Sequence, residues 1–213
     1  MQQQKVDIIG LEHAEAGFNA AADLIETMLG YGLITQVLPP VPRPALLKRF
    51  ADLEAALSLR PNPILRLAAL AVEVPEDALR LGVRWRLSNE ETGRLLASAR
   101  RTPGLEPEGP VQAARAVLYA DGAETYRERV LIAWARSGES PAHAGWHGRF
   151  LLPERWQPPV FLIGGEDVMA AGVPAGPRVG AILSALEDWW IAGDFSAGEA
   201  QLRAKLGELV TSG

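Results

Sequence analysis

Residues Gly164–Phe195 read GGEDVMAAGVPAGPRVGAILSALEDWWIAGDF. Glycine and proline divide this stretch into a short helix, an elbow and a long helix. Glu166–Ala171 has the length of one or two helical turns, and Gly172 is placed to end them. Val173-Pro174-Ala175-Gly176 forms the elbow. Pro177 suits the first position of the next helix, where its missing N–H would have no intrahelical partner in any case. Val179, Ile182, Leu183, Leu186 and Trp190 then recur at three- and four-residue spacing, which marks one buried face of a helix reaching Ala192. Gly193 is its expected left-handed stop. Glu166 and Asp167 lie where negative charge complements the dipole of the short helix. The N–H groups at Gly176–Val179 form the kind of helix end that binds phosphate elsewhere. A plain helical corner would have the same sequence.

The same punctuation runs back to the N-terminus. After a short apolar run at Val6–Ile9, residues 11–29 form a helical pattern with a stripe of Phe18, Ala21, Ala22, Ile25, Met28 and Leu29, and Gly30 is its expected stop. A short helix over 31–38 ends at Pro39-Pro40. Four prolines in Pro39–Pro44 stiffen the following turn. Helices are expected over 45–59, with Leu46, Leu47, Phe50, Leu53 and Leu57 inside; over 64–72, buried on most sides; and over 76–85. Ser88-Asn89-Glu90-Glu91 is a capping box that opens a helix to about Arg101. Thr102–Pro110 (TPGLEPEGP) has the composition of a linker. Two helices over 111–121 and 123–137 are separated by Gly122. A short helix over 143–152 precedes an extended crossing at 153–159 anchored by Trp156. Ser196–Glu199 is a second expected capping box, and it opens a helix to about Val210.

Several short alternating apolar runs would be needed for a sheet, and none occur. The expected fold is all-α: an irregular array of short helices joined by Pro/Gly elbows, without a fixed repeat. The linker divides the chain into 1–103 and 104–213, read as parts of one continuous helical unit.

Composition narrows the chemistry. The chain has 213 residues, a net charge of −5 and no cysteine. The absence of cysteine excludes disulfides, thiolate metal sites and cysteine nucleophiles, and fits a reducing cytoplasm. No signal peptide is read at Met1–Lys5 and no membrane-spanning run is present, so no membrane partner is expected. Lys5, Lys48 and Lys205 are the only lysines, and the other basic residues are arginine. A GC-rich genome gives that bias, and so does the use of arginine for phosphate. The sequence contains no Asp-x-Asp, no Gly-rich loop ending in Lys-Ser/Thr and no Gly-x-Ser-x-Gly.

His143 and His147 are four residues apart but lack a third metal ligand, and His13 reads as a solvated helix residue. Trp189-Trp190 fits either a stacking surface or packing against Phe195 and Leu202. Arg80, Arg84, Arg86, Arg94, Arg100 and Arg101 form a local basic concentration. They fit a stripe along a phosphate backbone, or a solvated face paired with Glu76, Asp77 and Glu90.

Several stretches resemble the C-terminal part of the bacterial tRNA nucleotidyltransferase (CCA-adding enzyme) and poly(A) polymerase family. Gly165, Asp167, Val168, Gly172, Gly176, Pro177, Val179, Gly180 and Leu183 match its G-x-D…G-x-x-PGP…G-x-x-L pattern, with Gly164 in place of the usual Thr. Gly32-Leu33-Ile34 through Leu38-Pro39, Arg66–Leu70 and Leu87–Glu90 match its upstream motifs in order. Trp134–Ser137 and Leu152–Trp156 are similar to alphaproteobacterial members. The Gly-Ser and Asp-x-Asp catalytic head and the nucleotide-selecting neck helix of that family have no counterpart here.

The resemblance implies a region running from the end of the neck through body and tail. It would bind tRNA or another RNA 3′ end and position it for a catalytic head outside this sequence. The chain would be inactive alone, and Mg²⁺ and CTP or ATP would belong to the head. The RNA contacts implied are Arg84, Arg86, Asn89, Arg100, Arg101, Gly176 and Arg178, each to phosphate or sugar. A helical protein-interaction or dimerisation module is the alternative, and a complete enzyme with an unfamiliar site is a third reading.

Overall fold

The computed structural model describes residues 18–33, 38, 41–101 and 103–211. The apolar run at 6–9, His13, the first turns of the 11–29 helix and residues 34–37 of the expected 31–38 helix lie outside the described residues. So do the side chains of Phe18, Ala21 and Ala22. Tyr31 and Gly32 form a turn. The described residues contain helices and no strand, which makes the fold all-α.

Helix α1 (Phe18–Gly30) closes with Gly32, not Gly30, in the left-handed region at φ +68°. The Leu33 N–H bonds to the Met28 carbonyl and the Gly32 N–H to the Leu29 carbonyl, both at 2.9 Å. This is the paired closure of a Schellman end. Helix α2 (Pro44–Ala56) buries Leu46, Leu47, Phe50 and Leu53, as its spacing predicts, and leaves Leu57 half-buried.

Helix α3 (Pro63–Ala71) is buried at every residue from Ile64 to Ala71. Its start is fixed by the Asn62 side chain, which accepts from the Leu65 N–H at 3.2 Å. Inside it, Arg66 donates to Glu54 at 2.6 Å, and the second Glu54 oxygen accepts from the Asn62 N–H at 2.7 Å. Burial pushes the Glu54 carboxyl above its usual range, while its bonds to Asn62 and Arg66 pull the other way. A buried charge of this kind is tolerable only when paired and hydrogen-bonded.

Helices α4 (Pro75–Trp85) and α5 (Asn89–Ala99) form a close hairpin. A Cβ on Gly82 would lie 2.8 Å from Thr92 Oγ1, so glycine permits this approach. Ser88 and Glu91 make the expected capping box, at 3.1 and 2.7 Å. Helix α5 ends at Ala99, and Arg100 is already extended.

Helix α6 (Val111–Ser137) is interrupted where expected, at Gly122, with φ 75° and ψ 166°. Helices α7 (Ala144–Phe150) and α8 (Leu152–Arg155) follow, and the extended crossing begins at Trp156, three residues later than expected. Helix α9 (Gly165–Ala170), the elbow and α10 (Pro177–Ala192) match the predicted helix–elbow–helix. Gly172 and Gly176 take φ of +99° and +155°. Gly193 is not left-handed; Asp194 and Phe195 take that role, at φ 52° and 58°.

Helix α11 (Glu199–Thr211) lacks the expected Ser196–Glu199 box. The Ser196 hydroxyl donates to the Gly193 carbonyl at 2.7 Å. The Gly198 N–H donates to Gln201 at 3.1 Å instead.

Among the described residues the apolar side chains form two cores. The first extends from Ile25 to Leu152 and the second from Ile163 to Leu206. Their division therefore falls after α8 rather than in the proline-rich segment before α6. That segment is fastened to the first core. Leu105 is 4% exposed, and the buried guanidinium of Arg149 holds the carbonyls of Glu106 (2.9 Å), Pro107 (3.4 Å) and Gly109. The cores meet at Tyr119 of α6, whose ring lies 5.9 Å from Trp190 and 5.1 Å from Phe195. Trp156 continues the seam, 5.2 Å from Phe195 and beneath Arg115.

Candidate nucleic-acid interface

The hairpin of α4 and α5 carries five of the predicted contacts. Arg84, Arg86, Asn89, Arg100 and Arg101 are all exposed. Arg86 sits at the end of α4 with a left-handed backbone, φ 52°, and Asn89 opens α5. The side chains of Arg80, Arg86 and Arg100 make no hydrogen bond or ion pair among the described residues. They project charge into solvent along a hairpin whose helices are each about 16 Å long.

Two arginines leave this stripe. Arg94 turns inward and forms a two-point contact with Glu128, which holds its guanidinium above its ordinary pKa. Arg101 remains exposed but pairs with Glu73. The expected acidic partners also differ. Asp77 accepts from the N–H groups of Glu73 and Val74, at 3.0 and 3.2 Å, and so caps α4.

Behind the hairpin lies a cavity of about 210 Å³ between the end of α5, the proline-rich segment, the second half of α6 and α7. Arg100, Arg101, Arg129 and Arg136 all line it, with Glu106 and Trp146. Arg129 and Arg136 are seven residues apart on α6, which puts them on one helical face. Arg129 is 6% exposed; its Nη1 pairs with Asp121, while Nε and Nη2 have no hydrogen-bond partner among the described residues. Arg136 donates to the carbonyls of Ser98 (2.8 Å) and Val72 (2.9 Å), and its Nε is likewise unpaired. Burial, followed by the charges of Arg43 and Arg101, lowers the Arg136 guanidinium to about 10. It stays protonated at neutral pH, in a field that favours an anion.

The remaining predicted contacts belong to the second core. Gly176 caps α10 in open space, and Arg178 donates to the Val210 carbonyl at 3.1 Å, tying α11 to α10. Trp190 is buried and donates to the Ala197 carbonyl at 3.0 Å. Trp189 is 39% exposed, with the Lys205 ammonium 5.8 Å from its ring centre.

The two neighbouring histidines are structural. His143 Nδ1 accepts from the Trp146 N–H at 3.3 Å and caps α7. His147 Nε2 bonds the Pro141 carbonyl at 2.9 Å. Among the described residues no group of His, Asp or Glu could hold a metal.

Sequence reasoning missed Arg43, Arg129 and Arg136 as part of a charge cluster. The seven-residue spacing of Arg129 and Arg136 was the only local signal. Their convergence with Arg100 and Arg101 depends on α5 and α6 packing together. No family model matches the chain, and no match is found among curated proteins.

Proposed function

We propose that this chain is a helical RNA-binding unit, cytoplasmic, that holds tRNA or another RNA 3′ end through phosphate and sugar contacts. In this reading it positions the RNA for a catalytic head carried outside the sequence, where Mg²⁺ and CTP or ATP would bind. The carrying observation is the set of exposed guanidiniums of Arg80, Arg86 and Arg100 on one helical hairpin, which have no partner among the described residues. Charge left uncompensated on an acidic protein suits a polyanion, and arginine suits phosphate in particular. Arg84, Asn89 and Arg101 lie on the same hairpin; Gly176 and Arg178 are further contacts in this reading.

Binding of labelled tRNA is measured from low to high salt. Affinity is expected to fall with salt, since each neutralised phosphate releases counterions. Arg86→Gln and Arg100→Gln should each weaken binding across RNA sequences and reduce the salt slope by about 0.7–0.9. No binding at low salt, or binding indifferent to salt, overturns the reading. Nucleotide incorporation by the chain alone, on tRNA lacking its 3′ end, is expected to be absent.

The alternative is a helical docking or dimerisation module. Exposed Val160, Leu162, Met169 and Trp189, all in or next to the second core, favour it. Concentration-dependent dimerisation without RNA binding would select that alternative.

A further inference from the structure

We propose that the arginine-lined cavity between α5, α6 and α7 is a binding pocket for a phosphoryl group. The inference shares Arg100 and Arg101 with the RNA reading but is carried by the buried Arg129 and Arg136 behind the hairpin.

The first observation is charge. Arg43, Arg100, Arg101, Arg129 and Arg136 converge at or beside the cavity, against the carboxylates of Glu73, Asp77, Asp121 and Glu106. Those carboxylates are already occupied: Glu73 accepts from Arg43 and Arg101, Asp77 from the N–H groups of Glu73 and Val74, Asp121 from Arg129, and Glu106 from the Gly104 N–H at 2.8 Å. Positive charge remains in excess at a partly buried site, where mutual repulsion is poorly screened.

The second observation is the buried Arg129. A guanidinium removed from water with two unpaired donors is costly, and buried donors in folded proteins almost always have partners. The unpaired Nε of Arg136 repeats the deficit on the same helical face. A tetrahedral oxyanion supplies several acceptors and negative charge at once, and matches the planar fork of arginine. The cavity volume accommodates a phosphoryl group with part of the molecule that bears it, and Arg100 stands free at its rim. Phosphate esters arise both as small phosphomonoesters and as RNA phosphates, and the recognition chemistry is shared.

The test uses the full chain at constant ionic strength. Inorganic phosphate, AMP, adenosine, and short RNA with a 5′-phosphate or a 5′-hydroxyl are titrated while tryptophan fluorescence is followed, since Trp146 lines the cavity. Saturable binding of phosphate or AMP but not adenosine is expected. It should raise the melting temperature by about 3–6 °C at a tenfold excess over Kd. Arg100→Gln should weaken binding about tenfold. Ala133→Glu places a carboxylate at the cavity wall; it should melt above the wild type without phosphate and lose the phosphate response.

A response to phosphate or AMP assigns the pocket to small phosphomonoesters. A response restricted to RNA and lost in Ala133→Glu assigns it to strand phosphates. No saturable response to any probe, or an undiminished response in Ala133→Glu, overturns the proposal. Arg80→Gln combined with Arg86→Gln should weaken tRNA binding and leave the phosphate response intact. Absence of tRNA binding by the wild-type chain, with the phosphate response present, therefore counts against the RNA reading and not against the pocket.

Discussion

Asp167 stands at the N-terminus of α9, where its charge complements the helix dipole; it accepts the Gly164 N–H at 2.8 Å and pairs with Arg203 at 2.9 Å. The backbone bond, followed by the Arg203 contact, holds its pKa below the ordinary 3.8. A lowered folded-state pKa contributes stability that is complete above the unfolded value and is lost as pH falls through the folded value. Asp167→Asn should therefore lower the melting temperature at pH 7, and the difference from wild type should shrink below about pH 4. Thermal unfolding between pH 3 and 7 checks this; a difference that persists at the acid end would reject the capping role. The burial pattern of α10 was legible at this scale, because Ile182, Leu186 and Trp190 follow from spacing alone. The αL positions were not. Asp194 and Phe195 took the conformation expected of Gly193 because the chain reverses into the second core there.

At the scale of elements, the proline-rich segment before α6 shows how composition misleads. Its Pro and Gly content reads as a linker, but it is a fitted loop. Arg149 of α7, forty residues further along, hydrogen-bonds three of its carbonyls. Gly145 lets α7 approach closely, since a Cβ there would lie 2.6 Å from Pro107 Cβ. Arg149→Met should leave those carbonyls unpaired and cost about 2 kcal/mol. It should also open the segment to proteolysis near Glu106–Gly109. Denaturant unfolding and limited proteolysis measure both; unchanged protease resistance would remove Arg149 from that role. The candidate interface is likewise an element-scale property. The hairpin was legible, from the Ser88–Glu91 capping box and the Pro75 start. Which arginines stay free on it was not, because Arg94 finds Glu128 on α6 and Arg101 finds Glu73.

Over the whole molecule, the two apolar cores are joined through few residues. Tyr119 is central. Its phenol donates to Glu187, its ring packs on Trp190 and Phe195, and burial together with that carboxylate pushes it up to about 12. Arg115 adds an ion pair to Asp194 at 2.6 Å. Tyr119→Ala should cost about 2 kcal/mol and uncouple the two cores. Near-UV circular dichroism and calorimetry should then show two transitions in place of one. A single transition, merely shifted, would mean that the seam depends on other contacts.

The sequence by itself determined that this protein is helical, where most of its helices begin and end, and which faces are buried. Those properties are local: a 3.6-residue periodicity, a capping side chain three residues from its partner, a proline or glycine at a boundary. Tertiary structure alone decided where the cores divide, which arginines are spent on carboxylates, and that Arg100, Arg101, Arg129 and Arg136 share one cavity. Such properties depend on residues tens of positions apart. No local pattern records the distance between two side chains until the helices carrying them have packed.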